Sequence, residues 1–282
     1  NNYKNNDKFK VYINSKFNKK GKLYFGEYLI KGKSKKEILI STYICHPSLA
    51  NDNLSGIIVS MALMKYFKTL RNKKSIRFLF LPETIGPIAY ISKNLNMLKK
   101  NVIGGYILSC IGDNRNHSCM FSKYKNTISD TSLEEAYKKN RIKFRSYSFL
   151  LRGSDERQFC SPGVELPLAS IFRTKYGEFP EYHNSLDNFK LVTIKGLEGG
   201  YKIAKQAILN IDNKILPVSR YLCEPQLGKR GLYNLLSKKN KVDSQDCWKI
   251  LDFLQFADGR NDLNKIGQYI KLNKTKTNKL HS

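Results

Sequence analysis

Apolar residues along this chain recur with two alternating periods. "EILISTYIC" (37–45), "SIRFLFLP" (75–82), "VIGGYILSCIG" (102–112) and "LPLASIFR" (166–173) are short runs rich in β-branched and aromatic residues. Strands buried on both faces have this composition. Between them, apolar residues at helical spacing predict helices over 54–70, 85–98 and 132–140, with a further helix over 194–209 that Gly199 and Gly200 weaken. Alternation of this kind predicts an α/β fold, a mostly parallel sheet flanked by helices. Asp52 or Asn53 is placed to cap the first helix, and Gly56 lets that helix approach the sheet closely.

The two ends of the chain read differently. Residues 1–34 are lysine-rich, with the short alternating pieces "FKVYIN" and "KLYFGEYLI" punctuated by Gly21 and Gly26. They predict a β-hairpin or the end of a small β module. The first residue is Asn1 rather than methionine, from which a fragment lacking an upstream part is expected. After a linker carrying Pro217 and Pro225, "DCWKILDFLQFADGRNDLNKIGQYIKL" reads as helix, turn at Asp258-Gly259, helix. No internal repeat is present in the sequence.

Composition narrows the classes. With 282 residues and 41% hydrophobic content, the chain is globular and long enough for one sizeable α/β domain and a smaller one. The net charge of +27 comes from 50 Lys+Arg against 23 Asp+Glu. Lysine is spread through the chain beside abundant asparagine, as an AT-rich coding bias produces, and no basic run stands alone. Six cysteines without a CxxC pair or regular spacing imply free thiols in a reducing compartment. No apolar run reaches the ~20 residues of a membrane span and no signal peptide opens the chain, so a cytoplasmic protein is expected.

Candidate chemistry sits at the ends of the predicted strands, where open α/β sheets bind ligands. The first strand delivers His46, with Asp52 in its loop; the second delivers Glu83, and the third Asp113. After the fourth, "TKYGEFPEYHNSLDN" carries His183 and Asp187. A hydrolytic zinc site needs nitrogen or oxygen ligands, an open position for water and a carboxylate to take that water's proton. His46, Asp52 and His183 supply the ligands, Glu83 the base, and Asp187 a group to orient an imidazole. Bound zinc brings the pKa of its water toward ~7. Each residue also has a plainer role: Asp52 as a helix cap, Glu83 as a solvated strand end, and His117 and His281 as structural histidines. Arg157 and Arg173, with Tyr176, border the same region; a guanidinium there would pair with a carboxylate on a substrate, and the alternative is a structural ion pair.

Four of these segments, in order over residues 35–210, resemble the zinc aminopeptidase family that includes bacterial leucyl aminopeptidases and glutaminyl cyclases. "HPSLANDNLSG" is similar to its "PGANDNASG", "LPETIGPIAY" to its "EExGLxGS", "GSDERQFCSPGVELPLASI" to its "SDHxxFxxxGIPAv", and "FPEYHNSLDN" to its "xxxHTxxD". The whole set is most similar to an uncharacterised bacterial family with an aminopeptidase-like domain, an inserted β module and a C-terminal winged helix. The resemblance implies three parts: 1–34 as the end of the insert, 35–212 as an aminopeptidase-like zinc hydrolase domain, and 217–282 as the start of a winged-helix-like domain. It further implies His46, Asp52 and His183 as metal ligands and Glu83 as the catalytic glutamate.

Several family positions differ. Thr84 stands where the family has a second, ligating glutamate. Ser109 takes the place of a ligating aspartate, with Asp113 as its substitute, and Ser48 and Glu156 replace further motif residues. One zinc is therefore expected rather than two. The expected activity is hydrolysis of an amide or peptide bond in a peptide or N-acyl substrate, by metal-bound hydroxide with Glu83 as base. The alternatives are a nucleic-acid-binding protein, or an inactive scaffold in surface-polysaccharide biosynthesis. Neither specific nucleic acid nor membrane is an expected partner, and an oligomer is compatible with the pattern.

Overall fold

The structure, a computed structural model, describes residues 6–230 and 244–281. Seven strands, β1 (Gly26–Ile30), β2 (Ser34–Tyr43), β3 (Lys74–Leu81), β4 (Val102–Leu108), β5 (Ser118–Met120), β6 (Arg145–Tyr147) and β7 (Leu168–Phe172), form one sheet in the order β1-β3-β2-β4-β7-β5-β6. The four central strands, β3, β2, β4 and β7, run parallel; β1 and β5 each pair antiparallel with their inner neighbours. The four predicted runs are these central strands. Burial on both faces makes them continuously apolar, whereas β5 and β6, three residues each, are too short to show a period.

Helices α1 (Ser55–Lys68), α3 (Ile128–Lys139) and α5 (Ile194–Asn213) pack on one face of the sheet, and α2 (Ile85–Asn101) and α4 (Glu156–Phe159) on the other. Successive residues of each strand alternate between the two layers. Ile38, Ile40, Ile76, Phe78, Tyr106 and Leu108 join the first core, and Leu39, Leu79, Leu81 and Ile107 the second. Arg77, in the middle of β3, is held by Glu37 Oε1 and Oε2 at 2.8 and 2.6 Å and by Glu27 of β1, which satisfies a cation at the buried sheet edge. The glycines that weakened the α5 prediction are points of close approach. A side chain at Gly199 would collide with the Arg173 guanidinium, and one at Gly200 with Ile111.

Two expectations are corrected. The strand within 1–34 pairs in register with β3, Gly26 opposite Phe80, so it belongs to the main sheet and not to a separate hairpin. Residues 6–25 form no strand, and 1–5 lie outside the described residues. Neither Asp52 nor Asn53 caps α1, because both side chains turn inward to the sheet. Beyond α5, α6 (Ser244–Phe256), α7 (Leu263–Tyr269) and α8 (Lys274–His281) enclose a small core of Phe253, Ala257, Leu263, Ile266 and Ile270. The expected helix-turn-helix is α6 and α7. Among the described residues no helix is long and apolar enough to cross a membrane.

Candidate metal centre

β3 lies on one side of β2 and β4 on the other, so the chain reverses direction of build at β2. This switch point opens a crevice at the carboxyl ends of the strands. β2 ends at Tyr43 and delivers Cys45 and His46; β3 ends at Leu81 and delivers Glu83. A short irregular turn, Ala50–Leu54, then carries Asp52 to the floor of the crevice, where it is fully buried.

The two oxygens of Asp52 have different surroundings. The Tyr43 hydroxyl donates to Oδ1, and Cys110 Sγ lies 3.7 Å from the same oxygen. Burial lifts the Tyr43 phenol well above its ordinary value, so Tyr43 stays a donor. Oδ2 has no hydrogen-bond partner, yet it lies 3.0 Å from His183 Nε2 and 3.8 Å from His46 Nδ1. His46 Nδ1 is likewise buried without a partner. Tyr182 stacks on the His183 ring at 3.9 Å and 16°, which fixes that imidazole over the turn. One ligand atom from each of His46, Asp52 and His183 falls within 4.8 Å of the others. Buried polar atoms left unpaired are costly. Two imidazoles and a carboxylate converging with free lone pairs form a donor set that fits zinc.

The turn is held from all sides. Asp187 was expected to orient an imidazole; instead its Oδ1 and Oδ2 accept the amides of Asn51 and Asp52 at 2.6 and 2.9 Å. Those buried amides, with no partner in the turn itself, are stronger claimants for a carboxylate than an imidazole already facing Asp52. Burial raises the Asp187 carboxyl against the pull of the same amides. Asn51 Oδ1 accepts the amides of Gly112 and Asp113, and Asn53 Nδ2 donates to Thr42 Oγ1 and the Tyr43 carbonyl. Asp113, expected as a substitute ligand, is spent on bracing. It accepts the Thr174 amide and hydroxyl at 2.9 and 2.7 Å and the Arg115 amide at 2.9 Å. It is not among the converging ligand atoms.

Across the crevice, Glu83 Oε1 accepts a 2.6 Å hydrogen bond from Ser154 Oγ. Next to it, Thr84 has φ 62°, a conformation that a β-branched residue rarely adopts, and its amide donates to Asp155 Oδ1 at 2.8 Å. Burial pushes the Asp155 carboxyl up to about 8, against the pull of that amide and with the charges of Glu83 and Glu156 adding to the rise. Non-glycine residues with left-handed backbone, Thr84, Cys110 and His183, gather here, as strained backbone does at functional sites.

The three expected substrate contacts separate. Arg157 is exposed and donates to Thr84 Oγ1 at 3.2 Å, on the rim beside Glu83. Arg173 is buried instead, against His117 Nε2 at 2.7 Å and Asn114 Oδ1 at 3.1 Å, in the space that Gly199 leaves. Burial and this guanidinium lower His117 to about 4, which makes it a neutral structural histidine. Tyr176 is also buried, donating to Glu156 Oε1 at 2.7 Å. Tyr43, Ser154 and Asp155 were not singled out from the sequence. Tyr43 ends the strand that delivers His46, whereas Asp155 lies in the polar segment "GSDERQFC", where no local pattern marks it for burial.

Residues 11–214 match a family described as a domain of unknown function (DUF4910), and residues 215–281 match a winged helix-turn-helix family. The chain belongs to the first family. It is 38% identical over 262 residues to a Clostridium acetobutylicum protein named for polysaccharide biosynthesis with an aminopeptidase-like domain. That match covers 91% of this chain and 58% of the relative. A crystal structure from the same organism, described as a peptidase, matches with TM-score 0.67 and 35% identity over 91% of this chain and 57% of that one. A zinc aminopeptidase from Bacillus subtilis shares the fold, with TM-score 0.58 and 18% identity over 69% of this chain and 51% of that one. The aminopeptidase-like fold and the C-terminal winged helix expected from the sequence are both present. The chain spans a little under three-fifths of the length of its Clostridium relatives.

Proposed function

We propose that this protein is a metal-dependent hydrolase of aminopeptidase type that cleaves an amide or peptide bond. Its single zinc would be held by His46, Asp52 and His183, with Glu83 as general base. The observation that supports this reading most is the buried, unpartnered Asp52 Oδ2, faced by His183 Nε2 at 3.0 Å and by the equally unpartnered His46 Nδ1. When bound, zinc acts as a Lewis acid on the scissile carbonyl and makes a water acidic enough to react at neutral pH.

The chain's own groups do the rest. Tyr43 holds Asp52 Oδ1, so that Oδ2 keeps its direction toward the histidines. Ser154 occupies Glu83 Oε1, and Oε2 is left to take a proton from the attacking water and return it to the leaving amine. Asp155 fixes the backbone on which Glu83 sits, through the Thr84 amide. Arg157, exposed on the rim, suits a substrate carboxylate, which favours a peptide C-terminus or an N-acyl acid.

Glu83→Gln keeps the shape and the Ser154 contact but cannot accept a proton. It should lower turnover by on the order of 10²–10⁴ with zinc content unchanged, whereas His183→Ala should lose zinc and activity together. Elemental analysis of chelator-free protein, with screens of aminoacyl anilides against N-acyl acids, reads both. A second reading, an inactive scaffold, is favoured by Thr84 and Ser109 at two family carboxylate positions and by the relative's polysaccharide name. Protein without transition metal that cleaves neither substrate class would leave the scaffold reading standing.

A further inference from the structure

Among the described residues a second set of ligand atoms shares His46 with the first. Cys45, His46 and Glu83 each bring one within 4.8 Å of the others. Cys45 is exposed, and its Sγ accepts the Glu83 amide at 3.3 Å, which ties the end of β2 to the end of β3 at the lip of the crevice. Cys45 has no part in the hydrolytic chemistry above. We propose that Cys45, His46 and Glu83 form a second cation position, selective for soft or borderline divalent metals.

A thiolate, an imidazole and a carboxylate are all zinc ligands, and three of them leave an open position for solvent. The thiolate discriminates against magnesium and calcium, which prefer oxygen. Binding releases to solvent the thiol proton and, where Nδ1 of His46 already holds the first cation, the remaining imidazole proton. His46 carries two ring nitrogens, only one of which, Nδ1, faces Asp52 Oδ2. The consequence rests on the hydrolase reading: a cation here draws the Glu83 carboxylate onto itself and removes the base. Zinc beyond one equivalent then inhibits the enzyme that the first equivalent activates.

Cobalt(II) titration of the full chain, followed by absorption, tests the site without a substrate. Cobalt takes zinc's ligands, and a bound thiolate adds a sulfur-to-cobalt charge-transfer band in the near ultraviolet. The first equivalent should give visible ligand-field bands alone, and the second should bring the charge-transfer band. Cys45→Ser should keep the first and lose the second; Cys223→Ser, at the other exposed thiol among the described residues, should keep both. Glu83→Gln should weaken the second equivalent by ~10-fold or more. Saturation without a charge-transfer band, or a band that survives Cys45→Ser, overturns the proposal. One equivalent bound with a Cys45-dependent band supports the thiolate site and overturns the His46–Asp52–His183 zinc. No cobalt bound at all overturns both.

Discussion

Glu83, Asp155 and Glu156 bring three carboxyl groups to one wall of the crevice, and the structure deals with each differently. Glu83 takes a hydroxyl, and Glu156 Oε1 takes two amides and the Tyr176 phenol. Asp155, fully buried, has one amide on Oδ1 and no partner on Oδ2. Its carboxyl, raised from 3.8 to about 8, is protonated at neutral pH in the metal-free protein. The folded state thus holds a proton that the unfolded chain releases. Stability from this group is complete below about pH 4 and declines as pH rises through about 8, by up to ~1.4 kcal/mol per pH unit inside that window. Asp155→Asn keeps an oxygen for the Thr84 amide and cannot titrate. Urea denaturation of metal-free protein between pH 4 and 8 should show a falling stability that flattens in the variant. An equal slope in both proteins would assign the titration to another group.

At the scale of elements, the turn Ala50–Leu54 is the part that must be rigid, and the element that fixes it is remote in sequence. The loop before α5 reaches back through Asp187, whose carboxylate and carbonyl take three successive amides, Ala50, Asn51 and Asp52. The same loop carries His183, so one loop places one candidate ligand and clamps the turn bearing another. Asp187→Ala frees the Asn51 and Asp52 amides, and leaves the Ala50 amide on the backbone carbonyl, without touching a metal-facing atom. It should weaken zinc by ~10–100-fold, read by competition with a chromogenic chelator. Unchanged affinity would mean that Asn51 and Asn53 hold the turn alone. Gly56, one turn further on, shows how closely α1 is seated. A Cβ there would lie 2.5–2.6 Å from Asn53 Oδ1, Thr42 Oγ1 and the Leu108 carbonyl.

For the whole molecule, the charge of +27 and the winged helix raise the question of nucleic acid. The smaller domain is tied to the larger by Lys214, half-buried between Glu135 of α3 and Asp262 before α7 at 2.8 Å each. Burial draws the Lys214 ammonium down, but its hydrogen bonds to Asp262 and Glu135 outweigh that and raise it. Cations committed in this way are not available to phosphates. Binding to DNA should be independent of sequence and fall by ~10³-fold or more between ~50 and ~200 mM salt, followed by fluorescence anisotropy on unrelated duplexes. A complex of one sequence that survives at the higher salt would place the winged helix in DNA recognition.

The sequence by itself determined the four central strands, the helices between them and the strand ends that carry His46, Glu83 and His183. Those depend on local periodicity and on burial of both sheet faces, which leave a continuous apolar signature. Tertiary structure alone decided what the polar residues of those ends do. Asp52 and Asp113 both follow strands and look alike in the chain; one faces two imidazoles and the other is consumed by Thr174 and Arg115. Arg157 and Arg173 read as a pair, yet Gly199 gives Arg173 a buried niche while Arg157 stays on the rim. Hydrogen-bond partners across 60 to 140 residues settle such choices, and no local pattern encodes which distant amide reaches a carboxylate first.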